Sequence, residues 1–191
     1  SSVYGNCNAE KFKEDLPVNE PISPYAATKI AGEQIIYTYA KSFGLNAVCL
    51  RLFTVYGPRQ RPDLAIRKFC ECIKNDKSIP VYGDGSTVRD YTYIDDIVSG
   101  ICCAINYDKS PYEIINLGGN KPVSLNDMIK TIEKALNKKA IIQNLPLQNG
   151  DALKTASDIT KAQNLLGYYP ETDFENGINN FIKWYDNQKL V

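Results

Sequence analysis

The sequence predicts an α/β fold, and three observations carry that expectation. Helix-like and strand-like stretches alternate along the 191 residues. A helical stretch from about Pro24 to Phe43 leads directly into Asn46–Phe53, which alternates and is β-branched enough to be a strand. The strand's exit, Thr54-Val-Tyr-Gly-Pro-Arg-Gln-Arg-Pro62, reads as a loop at a strand's C-terminal end, where open parallel sheets bind ligands.

Taken in order, residues 1–5 read as the end of a buried strand, followed by a polar loop with Glu14, Asp15 and Glu20. Ser23 suits an N-cap, and Pro24 suits a first helical turn, where its missing N–H costs little. Ile30, Ile35, Ile36 and Tyr39 then follow helical spacing, and Gly44 offers a left-handed cap. Asp63 to Asn75 predicts a helix capped by Asp63, with a short strand at Ile79–Tyr82 and a turn at Gly83-Asp-Gly-Ser86 beyond it. Asp95-Asp96 opens a helix to about Asn106, its carboxylates at the positive end of the dipole. Tyr112–Leu117 is a strand, Ser124-Leu-Asn-Asp127 resembles a capping box opening a helix to Asn137, and Ala140–Asn144 is another strand. Asp158 and Asp173 are expected to cap two final helices, the first stopped at Gly167. Internal repeats, low-complexity tracts and linkers are absent.

Charge excludes some partners. Lysine plus arginine and aspartate plus glutamate number 22 each, so nothing electrostatic favours nucleic acid or a membrane surface. There is no histidine, which removes every His-based triad and His-containing metal site. The six cysteines (7, 49, 70, 72, 102, 103) include no C-x-x-C pair and read as buried free thiols, with no metal site expected. The longest apolar run, around Ile97 to Ile105, is too short to span a bilayer. The first residues show no signal-peptide pattern, and a start at Ser1 rather than Met suggests a cut through a longer chain.

Acid–base chemistry therefore falls to tyrosine, lysine, serine and carboxylates. Tyr25 and Lys29 stand at i and i+4 of the first helix, so both lie on one face. A phenol titrates near ~10, and a neighbouring ammonium favours its phenolate. Such a pair can take and return a hydroxyl proton near neutral pH.

Around it stand four more motifs in a fixed order. Ser1-Ser-Val-Tyr-Gly5 precedes it, and Arg51-Leu-Phe-Thr-Val-Tyr-Gly-Pro58 follows one strand later. Val88-Arg-Asp-Tyr-Thr-Tyr-Ile-Asp-Asp96 and Asn116-Leu-Gly-Gly119 come further on. Together these motifs resemble the extended short-chain dehydrogenase/reductases, in particular their nucleotide-sugar epimerase and dehydratase branch. The resemblance implies the C-terminal part of a doubly wound Rossmann-type parallel sheet plus a smaller α/β substrate-binding lobe. Residues 1–56 would end the NAD-binding domain, and 57–191 would be mainly a UDP-sugar lobe, with 113–117 returning to the sheet. The glycine-rich turn that holds the dinucleotide pyrophosphate in the family has no match here, since Gly83-Asp-Gly85 and Gly118-Gly119 are too short. Most of the nucleotide-binding half is thus expected to lie outside this sequence, and the chain alone is expected neither to hold NAD nor to catalyse.

By the same resemblance, Tyr25 and Lys29 are catalytic and also meet the cofactor, as does Phe53. Ser1 neighbours the position whose hydroxyl meets the reacting group. Thr54, Arg61, Tyr82, Arg89, Gln148 and Asp151 would hold the substrate. Tyr82 matches an aromatic that stacks on uracil, and Arg89 an arginine that pairs with phosphates. Gln148 and Asp151 match residues that reach phosphate and ribose. The residue before Val3 is Ser2, where dehydratases and decarboxylases usually carry an acid, which argues against both chemistries. The activity implied is an NAD-dependent UDP-sugar 4-epimerase of the cytoplasm, a homodimer when complete. Thr54 and the loop through Arg61 resemble UDP-glucuronate 4-epimerases, where the arginine holds the sugar carboxylate, so UDP-glucuronate is expected ahead of UDP-glucose and UDP-galactose. An NAD(P)-linked carbonyl reductase and a non-catalytic fragment are the alternatives.

Overall fold

The computed structural model describes residues 1–147 and 152–188. The first helix, α1 (Pro24–Phe43), is bounded as its sequence dictates. The Ser23 side chain accepts from the Ala26 amide, and Gly44 closes the other end at φ 69°. There follow β1 (Ala47–Leu52), β2 (Thr54–Tyr56), α2 (Ala65–Lys74), β3 (Ser78–Tyr82), β4 (Val88–Tyr93) and α3 (Ile94–Ile105). The remainder is β5 (Tyr112–Leu117), β6 (Pro122–Ser124), α4 (Leu125–Leu136), β7 (Ile141–Leu145), α5 (Thr160–Leu166) and α6 (Phe174–Asn187). Ser124 and Asp173 cap α4 and α6 by accepting from the Asp127 and Glu175 amides, and Gly167 ends α5 at φ 66°.

Parallel pairing dominates. β1 pairs with β5, from Ala47 opposite Tyr112 to Leu52 opposite Leu117. β2 pairs in parallel with β4, which takes β6 antiparallel on its other side. β3 and β7 form a third parallel pair.

Three cores hold these layers. Ile97, Ile115, Leu117, Ile159, Ala162 and Tyr168 join α3 and α5 to the β1–β5 pair. That layer includes residues that the sequence reading assigned to the 57–191 lobe. Phe69, Ile73, Ile79, Met128, Ile132 and Phe181 join α2, α4 and α6 to β3. Val3, Tyr4, Phe12 and Phe53 form a smaller aromatic cluster under the first loop.

Several local expectations differ from the structure. Ser2–Tyr4 is a 3-10 turn and not a strand end. Thr54–Tyr56 is strand rather than loop, because β4 offers it a parallel partner that no local pattern announces. Asp63 does not cap α2, which has Leu64 at its N-cap; Asp63 pairs with Arg61 instead. Asp96 also leaves its own helix uncapped: its two carboxylate oxygens accept from the Glu171 and Thr172 amides, both at 3.1 Å, and tether the chain ahead of α6. All six cysteines are free, but only Cys70 is fully buried and Cys102 is exposed. Among the described residues no helix is long and apolar enough to cross a membrane.

Candidate functional site

Pairing of β2 with β4 puts Thr54 opposite Tyr91, two residues after Arg89. Tyr82 ends β3 nearby. Together with Phe69, Leu125 and Leu147 these residues bound a cavity of about 380 Å³. A second, more polar cleft of about 180 Å³ is bounded by Ser1, Ser2, Ser23, Thr54, Arg89 and Thr155. Thr54 and Arg89 border both spaces, so the two adjoin along a shared wall. An aromatic wall at one end suits a planar ring, and a cation in the middle suits an anion. Serine and threonine hydroxyls at the other end suit a polyol.

Asp90 follows Arg89 along β4 and so turns to the strand's opposite face. Asp90 is fully buried, and its carboxylate ties two separate segments of chain to β4. One oxygen accepts from the Gly119 amide at 2.9 Å; the other accepts from the Asn120 amide at 3.2 Å, the Ser157 amide at 2.8 Å and the Ser157 hydroxyl. The Asp90 amide donates to Thr155 Oγ1 at 3.1 Å. A buried carboxylate is stable only where donors replace its lost water, and four reach this one.

Tyr25 and Lys29 project side by side from the first turns of α1. The Lys29 ammonium lies 5.2 Å from the centre of the Tyr25 ring, and the phenol is 61% exposed. Neither borders the two spaces just described, although Ser23, two residues earlier, does. Arg61 stands apart: Nη2 donates to Asp63 Oδ2 at 3.0 Å on the surface, and the residue borders a different cleft, beside Pro58 and Ile94. Phe53 is a correction to the cofactor set as far as its side chain goes. Its ring is 2% exposed and packs against Tyr4 and Phe12, so it has no face left for a ligand. Gln148 and Asp151 lie outside the described residues.

The residues present fit one end of a dinucleotide only. An exposed phenol and ammonium on one face can meet a ribose hydroxyl and a reacting carbon. The short glycine pairs hold no phosphate cradle: a Cβ at Gly118 would meet Ser157 Oγ, one at Gly119 would meet the Tyr91 carbonyl at 2.8 Å, and one at Gly85 would meet Asn126. Their space is already filled by the protein itself.

Sequence reasoning missed Thr155, Ser157 and Asp90. Asp90 stands directly after Arg89 in Val88–Asp96, and strand alternation, which turns it to the opposite face from the cation, was a usable signal. Thr155 and Ser157 carry no local pattern at all. Ser23 was read only as a helix cap, yet it also borders the polar cleft.

Parallel strands beside a cavity with an aromatic wall and a cation define an α/β protein suited to a nucleotide-type ligand. The family can be stated more closely. Residues 1–118 match the NAD dependent epimerase/dehydratase family, and the chain belongs to it. UDP-glucuronate 4-epimerase of Thermodesulfobacterium geofontis is 43% identical over 185 residues, 96% of this chain and 56% of that protein. UDP-glucuronate 4-epimerase 5 of Arabidopsis thaliana is also 43% identical, over 97% of this chain and 46% of its own length. The crystal structure of UDP-glucuronic acid 4-epimerase from Bacillus cereus in complex with UDP-glucuronic acid and NAD superposes with a TM-score of 0.92 at 39% identity, covering 97% of this chain and 59% of that one. The chain thus spans about half to three-fifths of the length of these relatives. Its architecture is the C-terminal part of their Rossmann-type α/β fold.

Proposed function

We propose that this chain serves in a UDP-sugar 4-epimerase that works with NAD and takes UDP-glucuronate ahead of UDP-glucose. The observation that carries this reading is the pair of adjoining spaces sharing Thr54 and Arg89, with Tyr82 at one end and Ser23, two residues before Tyr25, at the other. Uracil stacks on Tyr82 and the diphosphate meets Arg89, which leaves the sugar among Thr54 and the serine hydroxyls. Residues 1–56 and 113–117 serve the cofactor side, and 57–191 mainly the UDP-sugar side.

Tyr25 is the proton carrier. It takes the C4 hydroxyl proton as that carbon is oxidised and returns a proton after the keto sugar has turned over in the pocket. Lys29, whose ammonium lies beside the Tyr25 ring, reaches the nicotinamide ribose. NAD, when bound, supplies the acceptance and return of hydride that side chains cannot. Thr54 faces the sugar from the β2 end. Arg61 binds the substrate carboxylate by exchanging it for Asp63; an exposed ion pair contributes little in water, so the exchange opposes binding only weakly. A fork of two parallel hydrogen bonds then fixes the ring's orientation.

Incubating the complete enzyme with UDP-glucuronate and NAD and following the sugar by NMR tests the reading. Formation of the C4 epimer without accumulation of reduced cofactor is expected. Net reduction of NAD would favour the carbonyl reductase of the same fold, and an eliminated or decarboxylated sugar would also overturn it.

A further inference from the structure

Only three residues of α1 are buried among those described: Ala26, Glu33 and Ala40, each seven residues from the next. Two alanines allow close approach but contribute nothing directional. Glu33 supplies the direction. It follows Lys29 and Tyr25 by four and eight residues, about 40° and 80° round the same helix, so the three move together when the helix turns.

The Glu33 carboxylate is gripped by a fork. Arg51 Nε donates to Oε1 and Nη2 donates to Oε2, both at 2.8 Å, with both side chains almost wholly buried. The third arm, Nη1, donates to the Tyr4 hydroxyl at 3.0 Å and to the Glu14 carbonyl at 3.3 Å, and the guanidinium lies 4.8 Å over the Tyr4 ring. Tyr4 in turn donates to Asn116 Oδ1 at 2.7 Å, and Asn116 Nδ2 donates to the Phe12 carbonyl at 2.8 Å. The main chain of Glu33 is held as well, because the Tyr112 hydroxyl donates to its carbonyl at 3.2 Å.

A buried ion pair is weak evidence for stability, since apolar residues of similar volume often replace one at no loss. What the fork adds is orientation, by tying α1 to β1 three residues before Thr54. We infer that Glu33 and Arg51 are positioning residues that set the rotation of α1, and with it the placement of Tyr25 and Lys29 against the sugar. The inference rests on the reading of Tyr25 as proton carrier. A side-chain tip roughly 6 Å from a helix axis moves about 1 Å for each ~10° of rotation, and a misplacement of about 1 Å can cost ~100-fold in rate.

The test uses an active preparation that turns over UDP-glucuronate, with three variants. In Glu33→Met/Arg51→Met both charges leave together, so the thermal midpoint stays close to wild type, while kcat falls about 10- to 100-fold with KM for UDP-glucuronate unchanged. In Arg51→Lys the charge balance is kept but the fork is lost, and kcat falls by about 10-fold or more. Recovery of wild-type kcat in either variant would reduce the pair to a structural role and overturn the inference. If the double variant does not fold, Arg51→Lys decides alone. Tyr25→Phe is the control: full activity there would remove the underlying reading and the inference with it, whereas an inactive Tyr25→Phe beside a fully active double variant would overturn the inference only.

Discussion

Replacing Asp90 by asparagine changes no volume but removes a charge and one acceptor. The amide has a single oxygen for donors that now use two. Its best orientation keeps that oxygen where Oδ2 stands, serving the Asn120 and Ser157 amides and the Ser157 hydroxyl. The amide nitrogen then faces the Gly119 N–H, donor against donor, at a distance that had been a 2.9 Å hydrogen bond. An orphaned buried donor costs about 1–3 kcal/mol. The surviving bonds also fall from charge-assisted to neutral strength, roughly half of their former value. The sum is about 3–5 kcal/mol, a large share of the stability of an ordinary domain. Urea denaturation of wild type and Asp90→Asn under the same conditions measures it. A loss below about 1 kcal/mol would refute the view that this carboxylate holds three segments together. A folded variant should also bind UDP less tightly, because Arg89 adjoins the loosened residue.

Three other outcomes follow from the same structure. Tyr82→Ala should weaken UDP binding by about 1–3 kcal/mol, the usual range for loss of a base-stacking ring; calorimetry that finds equal affinity would remove Tyr82 from the site. Arg61→Ala should cut kcat/KM for UDP-glucuronate far more than for UDP-glucose, and equal losses, or a wild type faster on UDP-glucose, would return Arg61 to its surface pairing with Asp63. Burial pushes the Tyr4 phenol from 10.0 up to about 12, so its folded value lies above its unfolded one. The stability it contributes is intact below pH 10 and is lost as pH rises toward 12, by about 3 kcal/mol. Unfolding that coincides with a late, cooperative rise in tyrosinate absorbance is expected there; simple titration of Tyr4 near 10 without unfolding would contradict it.

Much of the helix layout was legible because its signals are local. Ser23 with Pro24, Gly44, Ser124, Asp173 and Gly167 each act within a turn of where they stand, and each ends or opens a helix as read. The sheets were less legible. Thr54–Tyr56 becomes a strand only because Tyr91–Tyr93 lies beside it, and three residues carry no period of their own. The candidate site divides the same way. Thr54, Tyr82 and Arg89 were picked out by motif and meet at one cavity, brought there by strand pairing. Arg61 was picked out too, but it pairs on the surface with Asp63 and borders a different cleft. Asp96 and Asp90 were misread or passed over for a single reason: their partners lie 29 to 76 residues away, beyond any spacing rule.

The most direct test of the proposed chemistry is Tyr25→Phe, measured for turnover and for UDP-glucuronate binding on the same preparation. The change removes one hydroxyl from a mostly exposed ring and leaves the cavity around Tyr82 and Arg89 intact. Turnover is predicted to fall by several orders of magnitude, about 10²–10⁴-fold from the lost acid–base group, while the dissociation constant of UDP-glucuronate stays within about twofold. Near-normal turnover would contradict the account, because some group other than Tyr25 would then have to carry the C4 proton.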